Sequence, residues 1–324
     1  MDFSSLMFLF HFTFIQLVFL TLAQPDPLFS FCAETGNFTS NSTYKSNLDR
    51  LFTTLSSNVK TTNKGGFYSD SYGQNTDKVN TIALCRGDKT PDTCRSCINN
   101  ATLGLTQSCP NQKEAITWYD DCMLRYSGRS ILGNMEFRPA AFMFNINNVS
   151  DVNEFNQVLN VLLDDLKNST ASGDSVRKFA ANNAVVNNNQ TLYALTQCTP
   201  DLSKRDCNDC LNNATALIPQ YLYGKQGGRV ITPSCQFRYE IEQFYDSGIM
   251  SPSPSPSPPT SPSPQPPPSG SGSPTAPVPL LTPPPSSQTA TPQPNNNAAS
   301  IAGFAGRRSN TAMAFIFCVL LVSL

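Results

Sequence analysis

Cys94 and Cys97 stand two residues apart in Cys94-Arg95-Ser96-Cys97, a spacing that suits thiol–disulfide exchange, with Arg95 beside them to favour a thiolate. The same spacing returns at Cys207 and Cys210, so on spacing alone four thiolates could also bind zinc. Other chemistry is limited by histidine, because the sequence holds only His11, within the first 23 residues. A chain that loses this segment has no Ser-His-Asp or Cys-His nucleophilic site and no imidazole for a metal.

Residues 1–23 run through two apolar stretches to Thr21-Leu22-Ala23, which reads as a secretory signal lacking a basic start and makes Gln24 the mature N-terminus. Export to an oxidising compartment turns the 11 cysteines toward disulfides and away from zinc or free thiols. An extracellular oxidoreductase using Cys94 and Cys97 is therefore the weakest functional reading, and structural staples are expected. No metal or other cofactor is called for.

The cysteines also organise the chain. Cys85, Cys94 and Cys97, followed by Ile98-Asn99-Asn100-Ala101-Thr102, are matched 113 residues later by Cys198, Cys207 and Cys210, followed by Leu211-Asn212-Asn213-Ala214-Thr215; Cys122 is matched by Cys235. This is a tandem duplication, with one domain over 24–135 and a second over 136–247. Cys32 and Cys109 fall opposite Asn145 and Leu222, so the second copy lacks these two together. If the shared cysteines pair alike in both copies, Cys32 pairs with Cys109. Three maps then remain for the others, and joining Cys94 to Cys97 would close a tight loop typical of redox-active dithiols. The preferred map is Cys85–Cys94 and Cys97–Cys122, hence Cys198–Cys207 and Cys210–Cys235.

These cysteines need elements to hold them. Leu48, Leu51, Phe52 and Leu55 fall at i, i+3, i+4 and i+7, as do Leu159, Leu162, Leu163 and Leu166, predicting an amphipathic helix in each copy. A second helix starts near Cys94 and near Cys207, ending around Pro110 and Pro219. Phe29-Ser30-Phe31-Cys32 and Phe142-Met143-Phe144 alternate as strands do, and residues 116–126 and 229–240 are rich in aromatic and β-branched residues around the last cysteine. Each copy is then a small α+β domain, with helices over a mostly antiparallel sheet.

The twice-repeated Cys-x8-Cys-x2-Cys core, the opening Asn37-Phe38-Thr39 and Asn41-Ser42-Thr43-Tyr44, and the closing Cys-x-x-Arg-Tyr at Cys122 and Cys235 resemble the plant cysteine-rich secretory repeat of the ginkbilobin, or salt-stress/antifungal, type. Tandem pairs of this domain occur in receptor-like kinases, plasmodesmata-located proteins and secreted forms. The resemblance implies two helices packed on a five-stranded antiparallel sheet in each copy, and it supports the disulfide map. It also implies a sugar site, since ginkbilobin binds mannose through an Asn just after the first cysteine, an Arg six before the last and a Glu five beyond it. The first copy holds Ala33, Ile116 and Ser127 there; the second holds Ile146, Arg229 and Glu240. The charged pair Arg229 and Glu240 could grip sugar hydroxyls, or could form a structural pair on neighbouring strands.

Asn37, Asn41, Asn100, Asn148, Asn168, Asn189 and Asn213 are N-glycosylation sequons. Without the two processed ends the net charge is −2, which gives no reason to expect a nucleic-acid partner. Residues 248–297 hold 18 of the 26 prolines, between Pro252 and Pro294, and read as a polyproline II stalk of the arabinogalactan kind. Residues 298–324 read as a glycosylphosphatidylinositol propeptide: small residues at Asn297, Ala298 and Ala299, a polar spacer containing Arg307 and Arg308, then an apolar tail over 311–324. At 1.5 Å per residue that tail spans about 21 Å, short of a bilayer core of about 30 Å. Cys318 leaves with it, and Asn297 is the expected attachment residue. Together these features point to a non-enzymatic binding or adhesion module at the plant cell surface, for a cell-wall glycan or an apoplastic protein. Plasmodesmata are one location it could take, and dimerisation through a sheet face is one route to a partner. The rival is a mannose-type lectin with defence activity, carried by Arg229 and Glu240.

Overall fold

A computed structural model describes Met7 and residues 25–61, 65–187, 190–249 and 301–305. The rest of the signal segment, Asn189, the stalk from residue 250 on, Asn297 and Cys318 lie outside the described residues. The first repeat runs β1 (Phe29–Cys32), α1 (Thr43–Thr61), β2 (Phe67–Tyr72), β3 (Val79–Cys85), α2 (Pro91–Ser108), β4 (Glu114–Trp118) and β5 (Cys122–Ser127). The second runs β6 (Ala140–Phe144), α3 (Val152–Ala171), β7 (Lys178–Asn187), β8 (Gln190–Cys198), α4 (Lys204–Thr215), β9 (Gly228–Ile231) and β10 (Cys235–Glu240). Both sheets have the same antiparallel order, β1-β4-β5-β3-β2 and β6-β9-β10-β8-β7. The second sheet gains one strand beyond the expected five, β11 (Ile301–Ala305), which pairs parallel to β6 at its edge.

Local chemistry sets the helix starts. Pro91 opens α2, its fixed φ suiting the first turn, and the Thr90 hydroxyl accepts the Thr93 N–H; Ser203 does the same for Asp206 at α4, and Asp151 accepts two N–H groups of α3. Five disulfides then staple helices to sheets. Cys85–Cys94 ties β3 to α2 and Cys97–Cys122 ties α2 to β5; Cys198–Cys207 and Cys210–Cys235 repeat this in the second copy. Cys32–Cys109 links β1 to the end of α2 across 77 residues, a loop whose closure stabilises by about 4 kcal/mol in the chain-entropy model. In the second copy Leu222 fills the place of Cys109 as a buried side chain of the core.

Each sheet has two faces, and the helices cover one. Leu48, Leu51, Phe52 and Leu55 meet Ala83, Cys85, Leu124 and Tyr126 in the first repeat, while Leu159, Leu162, Leu163 and Leu166 meet Leu192, Ala194, Phe237 and Tyr239 in the second. The remaining faces cover each other. Ile82, Leu84, Ile116, Trp118 and Met123 of the first sheet form one buried cluster with Ala141 and Ile231 of the second, and Met143 packs against it. The indole N–H of Trp118 donates to the Thr232 carbonyl at 3.2 Å. Gly87 lies so close to Phe179 of the second repeat that a Cβ would stand 2.3 Å from the ring. The sheet face expected as a route to another chain is thus used within the chain.

The segments that leave the two repeats are exchanged. After β5 the chain crosses to the second repeat, where Gly133 N–H donates to Asp201 Oδ2 at 2.6 Å. After β10 it crosses to the first, where Asp246 N–H donates to Asp88 Oδ2 at 3.2 Å and the Phe244 carbonyl accepts from Arg86 Nη2 at 3.1 Å. Both donors and both carboxylates are 113 residues apart, so the duplication is carried into its own clasps.

Trp118 is the chain's only tryptophan and reports on the docked faces. Ile231→Ala, at a fully buried position of that cluster, is expected to cost about 2–5 kcal/mol, measured as a lower urea midpoint of Trp118 fluorescence. An unchanged midpoint would show that the faces do not hold the repeats together.

Candidate functional site

The turn between β4 and β5 places Asp120 of the first repeat over the second. Its carboxylate accepts from three guanidinium groups: Arg229 Nη1 at 2.7 Å and Arg238 Nη1 at 3.3 Å on Oδ1, and Arg86 Nη1 at 3.2 Å on Oδ2. Its carbonyl accepts from Arg86 and Arg229 as well. Arg86 is fixed from behind by Asp88, at 2.6 and 2.9 Å. Arg229 Nη2 donates to Gln236 Oε1, Gln236 Nε2 to Gln197 Oε1, and Gln197 Nε2 to the Cys85 carbonyl. A continuous polar chain therefore runs back into the first repeat.

Charge follows from this arrangement. Burial alone would raise the Asp120 carboxyl, but Arg229, Arg86 and Arg238 hold it at about 2. Burial pushes Arg229 down to about 10, with Arg238 and Arg86 adding to the effect and Asp120 opposing it; the group stays charged at neutral pH. Asp88 is also held below the usual carboxylate range: its burial is outweighed by Arg86 and Lys89.

Beside Asp120 lies an open cleft of about 570 Å³, walled by Leu28 and Asp120 of the first repeat and by Asn145, Ile146, Arg229, Arg238, Glu240 and Phe244, among others, of the second. It contains both site residues expected from sequence, but does not pair them. Arg229 is spent on Asp120 and Gln236, with its Nε buried and without a partner. Glu240 instead meets Arg238 at 3.5 Å and the Asn145 amide at 3.5 Å. The pair on neighbouring strands is corrected accordingly: in the β9–β10 register Arg229 stands opposite Arg238. Gly227 lets Glu240 lie close, since a Cβ there would stand 1.8 Å from its carboxylate. Ile146 is 65% exposed at the rim, while Asn145, one residue earlier, supplies an amide inside.

The first repeat has no such cleft at its equivalent place. Ala33, Ile116, Arg125 and Pro233 line a space of only about 20 Å³ there, closed by Glu136 and Pro139 of the connecting segment. Arg125, the counterpart of Arg238, pairs with Glu136 at 3.0 Å, and Ser127 is buried on β5. Cys94 and Cys97 are buried and bonded to different partners, so they form no exchange pair and leave no thiolate for zinc. Asn37, Asn41, Asn148, Asn168 and Asn213 are exposed; Asn100 is half-buried. Sequence reasoning missed Asp120, Arg238 and Asn145. The one available signal was the Arg of the closing Cys-x-x-Arg-Tyr motif, which is Arg238.

A carboxylate held low stabilises the fold above its unfolded value of about 3.9, and that contribution fades as pH falls toward the folded value. Asp120→Asn is therefore expected to cost about 2 kcal/mol at pH 7, below the usual 3–5 for a broken buried pair because the side chain is half exposed. The deficit relative to wild type should hold from pH 7 to 5 and shrink between about pH 4 and 2, read from urea midpoints. A deficit that persists unchanged to pH 2 would refute the assignment.

Comparison with known proteins places this architecture. The family described as salt stress response/antifungal matches residues 31–129 and again 144–242. Cysteine-rich repeat secretory protein 38 of Arabidopsis thaliana is 42% identical over 218 residues, covering 67% of this chain and 85% of that protein. The antimicrobial ginkbilobin-2-like protein of Castanea crenata is 37% identical over 222 residues, covering 68% and 90%. Cysteine-rich receptor-like protein kinase 25 of Arabidopsis thaliana is 38% identical, but the chain spans only 37% of its length. Among solved structures, the tandem DUF26 ectodomain of the Arabidopsis thaliana receptor-like protein PDLP8 has the same fold, with a TM-score of 0.59 at 21% identity, over 68% of this chain and all of that one. These relatives include a protein named as secretory and the ectodomain of a receptor-like one, and this chain has the tandem architecture of that ectodomain. With two copies of the domain, each stapled in the same way, the chain belongs to the salt stress response/antifungal family.

Proposed function

We propose that the chain is a non-enzymatic binding and adhesion module of the plant apoplast, recognising a cell-wall glycan in the cleft at the repeat junction. The carrying observation is the cleft itself: both repeats build it, and carboxylate, guanidinium, amide and aromatic groups converge in it. Glu240, Arg238 and Asn145 are the groups offered to sugar hydroxyls, and the Phe244 ring, with Arg238 stacked 4.3 Å from its centre, supplies an apolar face. Arg229 positions Asp120 and the repeats. The mannose-type lectin with defence activity is the finer form of this reading, with Glu240 in the cleft and Arg229 behind it holding Asp120; the antimicrobial relative supports it.

The same reading sets the module on the outer face of the plasma membrane, on a Pro/Ser-rich stalk with a lipid anchor at Asn297 and N-glycans on the exposed sequons; attachment there would remove β11 with the propeptide and leave β6 as the edge of a five-stranded sheet. No helix among the described residues is long and apolar enough to cross a membrane. Phospholipase C specific for inositol lipids should release the protein from plant membranes.

The binding test is a glycan array followed by calorimetry on the full chain. Glu240→Gln and Arg238→Ala should each weaken sugar binding at least tenfold; Arg238→Ala should also cost about 1 kcal/mol of stability through its lost contacts with Asp120, Glu240 and Phe244, so Glu240→Gln is the variant that isolates binding. Absence of binding to any glycan would overturn the reading in favour of a protein partner.

A further inference from the structure

We infer that the cleft is one end of a longer groove, and that its ligand is an uncharged linear oligosaccharide and not a single sugar; the inference rests on the glycan-binding reading above. A second cavity, of about 390 Å³, adjoins the first, and Leu28 and Asp120 are walls of both. Asp120 is thus a ridge between two neighbouring hollows. One belongs mainly to the second repeat and the other wholly to the first.

The second hollow has the chemistry of a polyol site. Thr93, Ser96 and Asn100 come from α2 at i, i+3 and i+7, so their side chains line one face of the helix, with Asp26, Tyr119 and Asp121 around them. Hydroxyl, amide and carboxylate groups together donate to and accept from sugar hydroxyls in both directions. A ligand lying across the Asp120 ridge would meet Glu240, Arg238 and Asn145 on one side and Ser96 and Asn100 on the other.

Charge selects within the sugars. The two hollows together are lined by five carboxylates, from Asp26, Asp120, Asp121, Glu240 and Glu242, and two guanidinium groups, from Arg229 and Arg238, while Arg86 meets Asp120 and Lys89 meets Asp121 from outside the lining. Both guanidinium groups are already engaged by Asp120. A polyuronate would bring further carboxylates to cations that the protein's own carboxylates already engage, and like charges at short range oppose binding. A neutral chain meets no such penalty.

Asn100 is also a sequon, and a glycan attached there would occupy the second hollow. The test therefore uses the full chain carrying Asn100→Gln, which keeps an amide at the wall and removes the attachment site. Calorimetry would compare manno-oligosaccharides and cello-oligosaccharides of one to six residues with oligogalacturonides of the same lengths. The association constant is expected to rise at least tenfold from one to four residues in one of the neutral series, with no binding of oligogalacturonides. Ser96→Trp, which fills the second hollow from an exposed helix position, should return longer chains to the affinity of the single sugar and leave that affinity unchanged. No gain with length, or a gain that survives Ser96→Trp, would overturn the two-part groove while leaving glycan binding standing. Preferential binding of oligogalacturonides would overturn the neutral assignment, and failure of every probe would remove the glycan reading on which the groove depends.

Discussion

A five-stranded sheet with helices on one side leaves its other face to be covered, and here each repeat covers the other. Strands β3, β4 and β5 carry apolar residues on both sides, with Ala83 and Leu124 toward the helices and Ile82, Leu84, Ile116 and Met123 toward the second sheet. Each such side chain fully buried contributes about 1.5–3 kcal/mol, which only the docked pair can realise. The disulfides do not perform this task, since all five lie within a repeat. They fix helix to sheet, and the apolar faces fix repeat to repeat.

Duplication gave the two repeats equivalent positions, but the residues there have diverged. Where the second repeat has Arg229 the first has Ile116, and where the first has Asp120 the second has Pro233. One side of the junction is therefore held by charge and open to solvent, while the other is filled by Ile116, Pro139 and Pro233. The cleft at Asp120, without a counterpart at the equivalent place in the first repeat, is a product of that broken symmetry. A separate repeat could not form it, because Leu28 and Asp120 come from one copy and Arg238 and Glu240 from the other.

Much of this fold is legible in the sequence, for identifiable reasons. The helix periods at Leu48 to Leu55 and Leu159 to Leu166 match the buried stripes, and the joint loss of Cys32 and Cys109 counterparts points to the pairing found. The edge strands were not legible: Ser69-Asp70-Ser71 in β2 and Asn182-Asn183 in β7 are polar and show no apolar alternation. The docking was hidden for the opposite reason, because Ile82-Ala83-Leu84-Cys85 is a continuous apolar run whose periodicity cannot say which face is covered by what. The contacts of Arg229 were not legible because the sugar-site pattern comes from a protein with one repeat. Its partner here, Asp120, is 109 residues away in the other copy.

The exchanged exit segments have a mechanical meaning. The chain leaves the second repeat by way of Phe244 and Asp246, which are held by Arg86 and Asp88 of the first. A pull applied at Ile249 is thus borne first by the other repeat, through the hydrogen bonds of Phe244 and Asp246 to Arg86 and Asp88. Traction would open the clasp at the junction while the disulfides kept each repeat intact, so the yielding element under load is the contact between domains.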